Sequence, residues 1–157
     1  MRLPLKHLRL PAAEREERIR AALAAVGLAG AESKYPWQLS GGMQQRVAIA
    51  RAIAYRPEVL IMDEPFASVD AQTRFELEDL CLKIRDEFGM TIVVVTHDID
   101  EAVYLSDRVV VLGERPARVT EIIDIGFGRE RDQIATRATQ EFAELRTAVF
   151  ELIRRAG

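Results

Sequence analysis

Val59-Leu60-Ile61-Met62-Asp63-Glu64-Pro65 is a short apolar run that stops on two adjacent carboxylates and a proline. Further on, Thr91-Ile92-Val93-Val94-Val95 repeats the design and stops on Thr96-His97-Asp98. A wholly apolar run of this length reads as a strand buried on both faces, with the polar residues exposed at its carboxyl tip. Between the two runs Leu77, Leu80, Cys81, Ile84 and Phe88 recur at helical spacing, and Gly89 is a natural stop. Strand, helix and strand in that order make a βαβ unit and so a parallel strand pair.

Working outward, Pro11 to Val26 reads as an amphipathic helix with Ile19, Ala22, Leu23 and Val26 on one face and Gly27 at its end. Glu14, Glu16 and Glu17 suit the positive end of its dipole. A loop from Gly30 to Leu39 holds Trp37, the single tryptophan, beside Pro36. Ser40-Gly41-Gly42 then opens a helix to about Tyr55, with Met43, Val47, Ala50 and Ala54 along one side and Pro57 just beyond. Downstream come a short helix from Asp98 to about Leu105, a strand at Val109 to Leu112, and a strand or hairpin within Val119 to Ile125. A last helix is expected from about Arg131 to Arg155, with Phe142, Leu145, Val149 and Leu152 on one stripe that folds back on the sheet or docks to a partner. The alternation implies an α/β fold with a mostly parallel sheet, in which ligands sit beyond the carboxyl ends of the strands.

Composition excludes other classes. At 157 residues, 48% hydrophobic and 30% charged, the chain is long enough to bury a core and is neither disordered nor collagen-like. A formal net charge of −3 argues against a protein that holds nucleic acid by charge. The lone Cys81 permits no internal disulfide, so nothing points to an oxidising compartment. Pro4, Lys6, His7 and Arg9 interrupt the leucines at the start, which reads as no signal peptide. No apolar run approaches the ~20 residues that span a bilayer.

Chemistry concentrates at the strand tips and the glycine-lined helix start. An apolar strand that delivers Asp63 and Glu64 suits phosphoryl transfer, with Asp63 serving a metal ion and Glu64 orienting or deprotonating a water. The same string also suits a helix cap or an acidic turn. His97 at the next tip could hydrogen-bond a terminal phosphate or an attacking water, or be structural. Asp98, three residues before Glu101, looks like a helix cap. Ser40-Gly41-Gly42 leaves backbone N–H groups uncovered at a positive helix end, an anion site or simply a capped helix. Cys81 reads as a core residue, Gly126-Phe127-Gly128 as a loop, and Tyr35 and Trp37 as packing for the loop ahead of the helix.

Taken in order, Leu39-Ser40-Gly41-Gly42-Met43-Gln44-Gln45-Arg46, Leu60-Ile61-Met62-Asp63-Glu64-Pro65, Ser68-Val69-Asp70 and Thr96-His97-Asp98 resemble the ATP-binding cassette (ABC) ATPases. The resemblance covers about Pro11 to Leu112. Residue types after the signature and the Arg115-Pro116 stretch look most like the ATPase subunits of nitrate, sulfonate and taurine importers. It implies a partial P-loop NTPase (RecA-like) fold with part of the family's helical subdomain. Within that single partial domain, about 11–56 would be the helical remnant and signature helix, about 57–128 the core, and about 129–157 the C-terminal helix. Also implied are a signature at Leu39 to Gln45, with Ser40, Gly41, Gly42 and Gln45 on the nucleotide, and a D-loop at Ala67 to Asp70 that brings Asp70 to it. Asp63 would be the Mg²⁺ residue, Glu64 the catalytic glutamate and His97 the switch histidine.

The resemblance further implies ATP and Mg²⁺ as cofactors, a second ABC ATPase subunit completing composite sites, permease subunits and, indirectly, a solute-binding protein. The location would be cytoplasmic and peripheral on the inner face of the membrane. The family's P-loop, G-x-x-x-x-G-K-[ST], has no counterpart here, since none of Lys6, Lys34 and Lys83 follows a glycine. The expectation is the C-terminal portion of an importer ATPase, unable to hydrolyse ATP alone and only marginally stable by itself. The alternative is a non-catalytic half-cassette that binds and modulates a complete ATPase. A third reading, the head of a chromosome-maintenance or DNA-repair ATPase, would put a long coiled coil where only a short helix stands.

Overall fold

The computed structural model describes Leu5, residues 8–113 and residues 116–156. Pro4, Lys6, His7 and Arg115, used in the sequence reading, lie outside the described residues. Contacts divide the chain between Val95 and Thr96 into two compact units, a division inside the 57–128 stretch.

The first unit holds helix α1 (Ala12–Ala25), helix α2 (Gly41–Ile53), strand β1 (Val59–Asp63), helix α3 (Ala71–Phe88) and strand β2 (Thr91–Val95). Pro11 and Val26 bracket α1 as expected, and Gly27 takes φ +73° where the chain leaves the helix. Ile19, Ala22 and Leu23 of α1 are buried, as are Ile49, Ala50 and Ile53 of α2, and the two helices pack together. Each fully buried leucine or isoleucine stabilises by roughly 1.5–3 kcal/mol. Arg46 ties the end of α1 to α2, donating from Nη1 to the Val26 carbonyl at 3.1 Å and from Nη2 to Glu76 at 3.0 Å.

Strands β1 and β2 pair in parallel from Val59 opposite Thr91 to Asp63 opposite Val95, so the βαβ unit is present. Gly89 ends the intervening helix at φ +61°. The expectation of strands buried on both faces is corrected. Val59 and Ile61 are 53% and 69% exposed, and Val93 and Val95 on the same face are 43% and 49% exposed. Leu60, Met62, Ile92 and Val94, on the other face, are half-buried. An all-apolar run encodes two dry faces, and here the pair has only one of them covered.

The second unit holds helix α4 (Ile99–Leu105), strands β3 (Arg108–Gly113) and β4 (Arg118–Asp124), and helix α5 (Gln140–Ala156). The two strands form an antiparallel hairpin with an irregularity between Val111 and Leu112. Among the described residues the parallel part of the fold is therefore β1 with β2 alone, because strands joined by a short turn can pair only antiparallel. Helix α5 starts at Gln140 instead of about Arg131. Ahead of it the Asp132 carboxylate accepts the N–H groups of Ile134 and Ala135 at 2.9 and 2.7 Å, and the Thr139 hydroxyl accepts that of Phe142 at 3.1 Å. Such local side-chain bonds compete with helix until Thr139 caps it. The open question about α5 is answered within this unit: it lies on α4 and the hairpin, burying Phe142 and Val149.

Arg131 locks that unit. Its fully buried side chain donates to the carbonyls of Tyr104 at 2.6 Å, Ser106 at 2.9 Å and Gly128 at 3.0 Å, and to the Asp107 carboxylate at 2.8 Å. The Arg137 guanidinium stands 4.8 Å from the ring centroid of buried Tyr104.

Candidate functional site

Two helix starts meet in the first unit. Ser40 caps α2, its hydroxyl accepting the Met43 N–H at 3.3 Å, and the Gln44 side chain donates back to the carbonyls of Pro36 and Leu39 at 3.1 and 3.2 Å. Asp70 caps α3: its carboxylate accepts the Thr73 N–H at 3.0 Å and the Thr73 hydroxyl at 2.7 Å. These bonds, the backbone one first, hold the exposed Asp70 carboxyl below the usual carboxylate range. Thr73, so fixed, stands against Gly42. A Cβ on Gly42 would lie 2.8 Å from Thr73 Cγ2, whereas one on Gly41 would meet open space. Gly42 is thus glycine because two helices converge on it, and Gly41 faces an open side.

Next to this junction lies the tip of β1. Asp63 is exposed at the strand end. Glu64 follows at φ +46°, a left-handed backbone that costs a non-glycine residue of order 1–3 kcal/mol and recurs at functional sites. Its N–H donates to the Val95 carbonyl at 2.8 Å, so β2 helps hold the unusual conformation. The Gln45 side chain donates to the Pro65 carbonyl, joining α2 to the turn just after Glu64. Sequence reading placed Gln45 on a nucleotide. In the structure its amide serves this internal link.

His97 belongs to the second unit, where it is exposed and lines a shallow cleft of about 570 Å³ with Asp98, Ile99, Asp100, Arg146, Thr147 and Phe150. Asp98 caps α4, its carboxylate accepting the N–H groups of Asp100 at 2.9 Å and Glu101 at 3.2 Å. The Glu101 carboxylate accepts instead from the Thr96 hydroxyl at 2.7 Å.

Sequence reasoning missed the Gly42–Thr73 approach, the left-handed Glu64 and the Thr96–Glu101 bond. The first two are contacts or backbone states that no periodicity encodes, while the spacing Thr96, Asp98, Glu101 was a visible signal. Tyr35 and Trp37 stack on each other at 4.6 Å and stay 58% and 77% exposed, so they pack as a pair on the surface. Cys81 is a core residue, and burial, helped by Glu78, pushes its thiol up to about 12.

Among the described residues no three or more His, Cys, Asp or Glu side chains gather as metal ligands. Asp63 thus offers one exposed carboxylate, which fits Mg²⁺, an ion that takes one or two carboxylates and fills its octahedron with phosphate oxygens and water. The helix start at Gly41 and Gly42 fits an anion such as a phosphate, because first-turn N–H groups have no partner within the helix.

Comparison with known proteins bears on what these features are. Residues 3–67 match the family model described as ABC transporter. The chain is 51% identical over 145 residues, 92% of its length, to an uncharacterised ABC transporter ATP-binding protein of Methanocaldococcus jannaschii, and covers 53% of that protein. These matches support an ABC transporter ATPase. The chain is 49% identical over 131 residues to the nitrate import ATP-binding protein NrtD of Synechococcus elongatus, covering 83% of this chain and 48% of that one. The aliphatic sulfonates import ATP-binding protein SsuB 1 of Pseudomonas savastanoi pv. phaseolicola is 47% identical over 127 residues, covering 78% of this chain and 54% of that one. Among solved structures, cbiO1 from Clostridium perfringens, part of the ABC transporter complex cbiONQ, is similar with a TM-score of 0.62 and 36% identity. That likeness covers 66% of this chain and 41% of cbiO1 and agrees with an α/β, partial P-loop NTPase fold. The chain spans about half the length of the curated relatives it matches. Among the described residues no helix is long and apolar enough to cross a membrane.

Proposed function

We propose that these residues form the signature-bearing half of an importer ATPase, working peripherally at the inner membrane face with permease subunits and, through them, a solute-binding protein. The reading rests chiefly on one observation: the Ser40-Gly41-Gly42 helix start is fastened to the stretch that follows the Asp63-Glu64 tip, through Gly42 against Thr73 and Gln45 on Pro65. Ser40 and the Gly41 and Gly42 amides bind the terminal phosphates of ATP held by a second ATPase subunit. Asp70, fixed as the cap of α3, keeps the D-loop at that interface.

On its own side of the dimer, Asp63 holds Mg²⁺, which when bound neutralises charge on the phosphate oxygens. A Glu64 carboxylate oxygen accepts a proton from the water that attacks the terminal phosphate, and the left-handed backbone fixes where that carboxylate stands. The His97 imidazole donates a hydrogen bond to that phosphate. Within the 157 residues no lysine follows a glycine, so the phosphate cradle comes from other residues, and these residues alone turn over no ATP.

The test is complementation. The chain, co-expressed with an ABC ATPase fragment chosen to carry G-x-x-x-x-G-K-[ST], should hydrolyse ATP, and Glu64→Gln should lower kcat by more than about a hundredfold. A folded assembly whose turnover ignores Glu64→Gln refutes the reading. An inert assembly, combined with slowed turnover when the chain is added to a complete ABC ATPase, would favour the non-catalytic modulator instead.

A further inference from the structure

His97 is the middle residue of a closed circuit of hydrogen bonds. Thr96 Oγ1 donates to Glu101 Oε2 at 2.7 Å, and the same oxygen accepts the Asp98 N–H at 3.0 Å. Asp98 Oδ1 accepts the Glu101 N–H at 3.2 Å, which closes the circuit, and the Asp98 carbonyl accepts the Ala102 N–H at 3.1 Å. Both chain neighbours of His97 are therefore tied to the first turns of α4, while the imidazole itself is exposed.

Glu101 is the anomaly that gives the circuit meaning. Its side chain is 4% exposed, and a carboxylate is withdrawn from water at a cost of several kcal/mol unless donors meet it. A surface glutamate would complement the start of α4 equally well. A buried one does something more: it fixes the rotamer of the residue preceding His97. Left free, a Thr-His-Asp stretch samples several backbone wells, and each fixed residue costs roughly 1–2 kcal/mol of conformational entropy. Folding has met that cost here before any ligand arrives, which is the condition for a hydrogen-bond donor to act without reorganising.

We propose that Thr96 and buried Glu101 are positioning residues for His97, clamping the backbone on both sides so that the imidazole is presented to the terminal phosphate in one orientation. The proposal rests on the reading of His97 given above. In the unmodified chain the Asp98 and Glu101 amides should exchange with solvent at least about tenfold more slowly than unstructured amides. Exchange at the unprotected rate overturns the clamp without any substitution.

Thr96→Val removes the hydroxyl at nearly constant shape, and Thr96→Ser keeps it. In the assembly with the P-loop-bearing fragment, Thr96→Val should lower kcat about tenfold with the KM for ATP within about twofold, and Thr96→Ser should restore kcat. Protection of the Asp98 amide should fall and recover in the same order. His97→Ala, run alongside, separates the two ideas. If it abolishes turnover while Thr96→Val leaves kcat unchanged, the positioning role is overturned and the reading of His97 stands. If His97→Ala itself has no effect, the reading fails, and the positioning role falls with it whatever the exchange data show.

Discussion

The pairs β1–β2 and β3–β4 are built from similar residues and end in different states. Val109 and Val111 of β3 are 7% and 4% exposed, covered by α5, while their neighbours Val110 and Leu112 face outward. Ile61 of β1 is 69% exposed and nothing comparable lies over it. A valine- and isoleucine-rich run therefore determines that a strand forms, through β-branched side chains on a pleated surface. What covers it depends on residues far away in sequence. In the second unit those residues are Phe142 and Val149 on α5, with Arg131 locking the loop beneath.

The largest expected effect breaks the better-covered side of that comparison. Arg131→Ala removes four hydrogen bonds to Tyr104, Ser106, Gly128 and Asp107 and leaves the part-buried carbonyls of Tyr104 and Ser106 unmet. Each part-buried acceptor left unmet costs about 1–3 kcal/mol. Hydrogen exchange should show protection lost across α4, β3, β4 and α5, and retained in α1 and α2. Uniform loss throughout the chain would mean the two units do not respond separately.

The contrast also explains what the sequence could reveal. Most elements carry local signals: Ser40 and Asp98 as caps, Gly27 and Gly89 as stops, and the apolar runs at Val59 and Thr91, whereas Asp70, read only as part of the D-loop, also caps α3, and Pro36–Gln38, read as loop, is a single 3₁₀ turn. The start of α5 was misjudged because Asp132 and Thr139 divert the backbone into turns, a competition between side-chain and helical bonds with no periodic signature. Dry faces on β1 and β2 were inferred from composition, but coverage is a tertiary property. The candidate site residues stand in the sequence as an ordered set of motifs. Their couplings, Gly42 against Thr73, Gln45 on Pro65 and Thr96 on Glu101, were not legible there, because each joins residues whose only relation is spatial or whose side chains had a simpler local task.

A middle-sized effect sharpens the picture of the helix junction. Gly42→Ala would put Cβ 2.8 Å from Thr73 Cγ2, and the Thr73 side chain cannot swing away without losing its hydroxyl bond to Asp70. Overpacking of this kind costs about 1–3 kcal/mol, read as a lower denaturant midpoint. Thr73→Ser in the Gly42→Ala background removes the offending methyl and keeps the hydroxyl bond to Asp70, so most of the loss should be recovered. An undiminished loss in the double variant would place the strain elsewhere than at this contact.

The smallest effect on stability is expected at the bare strand face, and it is the most direct test of the comparison. Ile61→Ser changes a side chain already 69% exposed, so folding stability should move by less than about 0.5 kcal/mol, as surface substitutions usually do. Val111→Ser in β3, at 4% exposure, should cost about 2–4 kcal/mol by removing buried apolar surface and burying a hydroxyl. Self-association should respond in the opposite order. Val59, Ile61, Val93 and Val95 form a contiguous apolar face on a strand pair, the arrangement that draws chains together, and Ile61→Ser places a hydroxyl at its centre. Sedimentation at rising concentration should show less association for Ile61→Ser than for the parent chain. If Ile61→Ser instead destabilises by more than about 1 kcal/mol, the face is covered in solution. The difference between the two strand pairs would then lie in which element covers each and not in whether one does.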